Sequence, residues 1–157
     1  TVTPHVLLRG AVVQATKALV INEGRGQAGL AAAELLVSKG IEVEIISSDI
    51  AVGADIDPTN RTAWFMRLGE KGCHFSATQI VVSAQDNQVA CRNVYDDRMN
   101  YREGIDLIVN WQGCQANTSV MTISGRLPEK VHYIGDCVSP RNVEIAMGEA
   151  EELACRL

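Results

Sequence analysis

No two of the five cysteines, Cys73, Cys91, Cys114, Cys137 and Cys155, stand at C-x-x-C or other metal-ligand spacing; successive ones are 18 to 23 residues apart. Zinc, an iron–sulfur cluster held by this chain and a thioredoxin-type dithiol are disfavoured by that spacing. Scattered thiols, odd in number, read instead as small buried hydrophobes. His5, His74 and His132 are equally dispersed and read as structural or exposed, so no metal site is expected. No run reaches the roughly 18 apolar residues of a membrane span, and no signal-peptide pattern opens the sequence. A cytoplasmic location is the expectation. Basic charge is short: 14 Lys and Arg face 19 Asp and Glu, a net charge of -5. That balance argues against a nucleic-acid or anionic-membrane partner. Aromatic residues make up only 4% of the chain, and there is no internal repeat or low-complexity stretch. No Ser-His-Asp or Cys-His arrangement and no paired carboxylates are found, so no catalytic residue is expected. The chain opens at Thr1 without an initiator methionine, which fits a processed subunit or, better, a piece of a longer polypeptide.

What is present begins at residue 18. Ala-Leu-Val-Ile-Asn (18–22) reads as a strand, and Gly24, Gly26 and Gly29 complete a G-x-G-x-x-G opening an alanine-rich helix, Gln27 to Ser38. Gly40 stops the helix, and Glu42 to Ser47 reads as a second strand. In such a unit the first glycine permits a tight turn and the second lets the backbone approach a pyrophosphate. The third lets helix pack on strand, with the positive helix end aimed at phosphate. The strand–turn–helix context gives the motif a meaning that three isolated glycines lack.

Residues 1–17, broken by Pro4 and Gly10, read as an irregular lead-in. A loop from Asp49 to Asp57 leads to Pro58 and a helix over Thr59 to Lys71. Short strands are expected at His74 to Ser76, Gln79 to Ala84, Gln88 to Arg92 and around Val94, with a turn at Asp86-Asn87; together they read as a small antiparallel meander. Apolar strands at Ile105 to Val109 and Lys130 to Ile134 return to the parallel sheet, and a helix closes the chain over Asn142 to Arg156. Its acidic stretch, Glu144 to Glu152, reads as a solvated face. The fold class is α/β: a Rossmann-like parallel sheet flanked by helices, with an antiparallel β-meander inserted.

Several motifs beyond the glycine turn carry a resemblance. They are Val52-Gly-Ala-Asp55, Asp57-Pro-Thr-Asn-Arg61, Arg92-Asn-Val-Tyr95 and Ile134-Gly-Asp-Cys-Val-Ser-Pro-Arg141. In this order they resemble the C-terminal region of the multidomain NADH:flavin oxidoreductases. That group includes 2,4-dienoyl-CoA reductase, trimethylamine dehydrogenase, and the dimethylglycine, N-methylproline and stachydrine demethylases. The resemblance implies a parent enzyme in which an N-terminal barrel carries FMN and a 4Fe-4S cluster, followed by FAD-type and NAD(P)-type dinucleotide domains. Here residues 18–125 correspond to the NAD(P)-type domain and 126–157 to the C-terminal strand and helix of the FAD-type domain. The remaining domains of the parent would be the partners, with an external electron carrier in some members. The barrel that performs the substrate chemistry is not in this chain.

Candidate site residues follow from both readings. Gly24, Gly26 and Gly29 would cradle a pyrophosphate, with Arg25 reaching a phosphate or pointing to solvent. At the end of the second strand Ser47 and Ser48 with Arg61 would accept a 2′-phosphate, favouring NADP, whereas Asp49 reaching the ribose would favour NAD. Gly113 keeps the close-approach position where the resembled family has a small-residue turn facing the pyrophosphate. Trp111 and Gln112 replace the small residues, and the indole either fills cofactor space or packs at a domain surface. Asp136 would contact FAD if the rest of that domain were present; no FAD is expected in this chain alone. The first functional reading is a domain that positions NAD(P)H for hydride transfer to a flavin. The alternative is a structural Rossmann domain with a relic or ADP-only site.

Overall fold

The structure, a computed structural model, describes residues 1–24, 26–119 and 131–157. Arg25 and Lys130 therefore lie outside the described residues, as does the expected domain boundary at 125/126. Contacts divide the chain into two units, Thr1–Gly113 and Cys114–Leu157.

In the first unit, β1 (Lys17–Asn22) is apolar almost throughout because both its faces are covered, the pattern of a buried parallel strand. Ala18 and Val20 pack with Leu30, Ala33 and Leu36 of α2 (Ala28–Ser38), while Leu19 and Ile21 pack on the opposite side with Val89, Cys91 and Ile105. β1 pairs in parallel with β2 (Glu42–Ile46) on one side and β7 (Leu107–Trp111) on the other; β3 (His74–Ser76) pairs in parallel with β2. The order β3-β2-β1-β7 reproduces the 3-2-1-4 half of a doubly wound sheet. Asp57 starts α3 (Pro58–Glu70) by accepting the amides of Thr59 and Asn60. Trp64 and Leu68 of α3 join the α2 side of the core.

A separate antiparallel sheet is built of β4 (Gln79–Gln85), β5 (Gln88–Asn93) and β6 (Met99–Arg102). Asp86 and Asn87, both at positive φ, make the two-residue turn between β4 and β5. Three expectations change here. β3 belongs to the parallel sheet, not to the meander. The third meander strand is β6 instead of a strand near Val94. The first seventeen residues are not wholly irregular: α1 (Pro4–Leu8) buries Leu7 in the core, and Val2 bridges Val109. β6 is held by more than its ladder. Arg102 donates from Nε and Nη2 to Glu44 of β2, the latter bond at 3.0 Å, and Ser76 Oγ adds a 2.5 Å bond to the same carboxylate. This half-buried clasp ties the antiparallel sheet to the parallel one.

Among residues 131–157 the second unit has a 3-10 turn, Gly135–Cys137, and α4 (Val143–Arg156), whose start Asn142 caps by accepting the Ile145 amide. Residues 131–134, expected as part of a strand, have no regular structure. A strand needs a neighbour to take its backbone hydrogen bonds, and the described residues of this unit supply none.

The thiols are not all the buried hydrophobes expected: Cys73 and Cys91 are buried, Cys137 is half-buried, and the other two lie at the surface. Desolvation pushes Cys73 up to about 12, helped by the Glu44 carboxylate. Desolvation also raises Cys91, with Arg102 partly opposing and Glu44 adding to the rise. Cys114 and Cys155 are exposed. Only thiolate reacts with alkylating reagents, and at pH 8 the Cys73 thiolate fraction is on the order of one part in ten thousand. Iodoacetamide at pH 8, read by mass spectrometry, is expected to label Cys114 and Cys155 and to spare Cys73 and Cys91 until denaturant is added. Rapid native-state labelling of Cys73 would contradict this core.

Candidate functional site

Because β1, β2 and β7 run parallel, their C-terminal ends share one edge of the sheet, where open α/β sheets bind ligands. There β1 stops and the chain turns away. The amides of Glu23 and Gly24 both donate to the Trp111 carbonyl, at 2.8 and 2.7 Å, fixing the turn against the end of β7. The Trp111 side chain is 9% exposed, packed inward beside the turn with the His5 ring edge-on at 5.2 Å. A Cβ added at Gly24 would stand 2.5 Å from the indole and 2.7 Å from the Gly113 amide nitrogen, so Gly24 and Gly113 meet at this edge. A Cβ at Gly29 would stand 2.1 Å from Oδ1 of Asn22. Two of the three glycines are thus demanded by packing inside the protein.

Gly26 differs. Nothing lies within 4 Å of the position a Cβ would take, but its φ of +80 disfavours any side chain. Gly26 is exposed, and its amide donates to the Asp55 carboxylate at 2.6 Å, reaching across 29 residues of chain. Asp55 comes from the loop that follows β2, so an anion already stands on the glycine turn, and that anion is the protein's own.

At the end of β2, Ser47 is fully buried and its Oγ accepts the Asp49 amide at 3.2 Å. Ser48 donates twice to Glu23, from its amide to Oε1 at 2.7 Å and from its hydroxyl to Oε2 at 2.5 Å. Neither serine receives a bond from Arg61 among the described residues. Arg61 sits in the first turn of α3, half-buried, its amide bonded to the Asp57 carbonyl. Asn22 is 3% exposed, and its Oδ1 has no hydrogen-bond partner. A buried acceptor left unmatched costs about 1–3 kcal/mol.

The turn thus gathers Gly24, Gly26, Gly29, Ser47, Ser48 and Gly113 at connected strand ends of the first unit. Arg25 lies outside the described residues. Asp136 belongs to the second unit, where its carboxylate accepts the Arg141 amide at 3.3 Å; there Glu149 accepts the Gly135 amide at 2.7 Å and pairs with the Arg141 guanidinium. Three residues that sequence reasoning did not single out for the site are central to it: Asn22, Glu23 and Asp55. A signal for Glu23 existed, because in-register pairing of Ile21 with Ile46 places residue 23 opposite residue 48 two steps on. Asp55 closes the motif Val52-Gly-Ala-Asp55, but the motif does not reveal that its carboxylate reaches back to Gly26, which is a tertiary contact. Among the described residues no group of three His, Cys, Asp or Glu could hold a metal ion.

No protein-family model matches this chain, and no curated protein sequence matches it. Solved structures do. The 6-hydroxypseudooxynicotine amine oxidase of Pseudomonas geniculata N1 aligns over 96% of this chain with a TM-score of 0.84 and 19% identity. Histamine dehydrogenase from Rhizobium sp. 4-9 aligns over 99% with a TM-score of 0.79 and 19% identity. A 2-naphthoyl-CoA reductase aligns over 98% with a TM-score of 0.74 and 17% identity. These structures belong to the multidomain NADH:flavin oxidoreductase group that the sequence resembles, so that resemblance holds at the level of fold. The chain spans 23%, 26% and 23% of their respective lengths, about a quarter.

Gly24→Ala is expected to destabilise the chain by about 1–3 kcal/mol, the usual effect of overpacking. Trp111→Leu in the same chain should return part of that loss, because the two residues contest one volume; full rescue is not expected with the Gly113 backbone also close. Urea unfolding of the four species checks this, and strict additivity would mean that Trp111 does not press on Gly24.

Proposed function

We propose that this chain is the nucleotide-binding part of a larger flavin-dependent oxidoreductase and that it holds NAD(P)H or ADP at the glycine turn. The observation that carries the reading is the amide of the exposed Gly26, which follows β1 and donates to the Asp55 carboxylate. A backbone amide at a turn opening a helix is anion-binding chemistry, and a phosphate oxygen has the same acceptor character as Asp55. In this reading Asp55 keeps the turn in its binding shape and gives way to the ligand. When bound, a reduced nicotinamide supplies the hydride; the residues of this chain only hold and orient it. FMN, FAD and a 4Fe-4S cluster are assigned to other domains of the parent, which acts as an enoyl reductase or a methylamine-type demethylase or dehydrogenase in the cytoplasm. Residues 18–125 are proposed as the NAD(P)-type domain and 126–157 as a contribution to the FAD-type domain, with Asp136 near that flavin. No helix among the described residues is long and apolar enough to cross a membrane.

The same contact favours a second reading. Where Asp55 satisfies the turn permanently, the unit is a structural Rossmann domain with a relic or empty site. Calorimetric titration with NADH, NADPH and ADP separates the two. The proposal predicts saturable binding that Gly26→Val abolishes while circular dichroism is retained. Asp55→Asn removes a negative charge facing the phosphates and is expected to tighten binding about fivefold, equivalent to about 1 kcal/mol. Absence of binding for all three ligands, in the native chain and in the Asp55 variant alike, would leave the structural reading standing.

A further inference from the structure

We propose that Glu23 is the carboxylate that receives the ribose hydroxyls of the adenosine, so that this site selects nucleotides without a 2′-phosphate. The inference rests on the nucleotide-site reading above and deepens it. Dinucleotide-binding units need an acceptor for the ribose diol at the end of the second strand, and the acid there commonly belongs to that strand. Here the strand ends in serines, of which Ser47 is buried and turned to the Asp49 amide. The carboxylate arrives from the neighbouring strand instead. Glu23 leaves the end of β1, its own amide fixed to the Trp111 carbonyl, and both its oxygens are anchored by Ser48.

That anchoring orients Glu23 without exhausting it. A carboxylate offers about four lone-pair sites, and Ser48 uses two, which leaves one on each oxygen for a pair of vicinal hydroxyls. Glu23 is half-buried, open to a ligand yet shielded from bulk water. It lies three residues before Gly26, whose amide is the donor for a phosphate oxygen, so ribose and phosphate contacts fall on one short segment. Beside it Asn22 holds an unpartnered acceptor, nine-tenths and more buried, at the same strand end. A 2′-phosphate would instead be set against the Glu23 carboxylate, and the Ser48 hydroxyl already donates to Glu23. Like charges brought together in this way act against the wrong ligand.

The test uses the purified chain with four probes: ADP, 2′-deoxy-ADP, adenosine 2′,5′-bisphosphate and ADP-ribose, each titrated calorimetrically. ADP and ADP-ribose are expected to bind, and both 2′-deoxy-ADP and adenosine 2′,5′-bisphosphate to bind at least about tenfold more weakly. Glu23→Gln, which keeps an acceptor for the Ser48 amide, should narrow both gaps. Equal affinity for ADP and the 2′-phosphorylated probe in the native chain would overturn the assignment of Glu23 while leaving the nucleotide site intact. So would unchanged discrimination in a folded Glu23→Gln chain. Failure of all four probes to bind would overturn the nucleotide site itself, and the assignment with it.

Discussion

One carbonyl governs the edge of the parallel sheet. Trp111 C=O accepts two consecutive amides, those of Glu23 and Gly24, and so decides where β1 ends and how the chain leaves it. Every later feature depends on that choice. Gly24 is pressed against the indole, Glu23 accepts both the amide and the hydroxyl of Ser48, and the exposed Gly26 gives its amide to Asp55. A turn tied less tightly would leave the amide of Gly26 and the carboxylate of Glu23 without fixed positions. The bulky residue in the Asn110-Trp-Gln-Gly segment is therefore part of the scaffold of the turn: buried, and packed on the glycine that accommodates it.

Charge then gives the site its character. Two carboxylates stand among the strand ends, Glu23 bound to Ser48 and Asp55 bound to Gly26, and each is held by backbone amides. Carboxylates placed in this way oppose added negative charge and tolerate hydroxyls. The half-buried clasp of Glu44, Arg102 and Ser76 is a different use of charge. It lies between the two sheets, with both charged groups satisfied, and holds the antiparallel layer in place without ligand chemistry of its own.

Local patterns announced much of this fold. β1, α2, β2 and α3 were legible because each satisfies its own rule: a doubly buried apolar run, a small-residue helix stopped by glycine, an alternating strand, an Asp-Pro start. β6 was not, because Met-Asn-Tyr-Arg has no apolar alternation and owes its place to pairing with β5 and to Arg102. The parallel direction of β3 was equally hidden, since three residues carry no mark of their partner's orientation. At the site, the glycines were visible as a motif, but the reasons for them were not. Gly24 and Gly29 answer to Trp111 and Asn22, which are contacts made only in the folded chain. Glu23 was hidden because it follows the first strand, and only parallel pairing brings its carboxylate to Ser48 at the end of the second.

The central claim is that the amide of Gly26 is a binding group for nucleotide phosphate. Its most direct measurement is nitrogen-15 NMR of the chain during addition of ADP, following the assigned amides of Gly26 and Ser48. The account predicts saturable shifts of both signals with one dissociation constant, since phosphate replaces Asp55 at Gly26 while ribose loads the carboxylate that Ser48 anchors. Amides that stay unmoved at Gly26 while ADP perturbs a surface elsewhere, or that fail to move at any concentration, would contradict it.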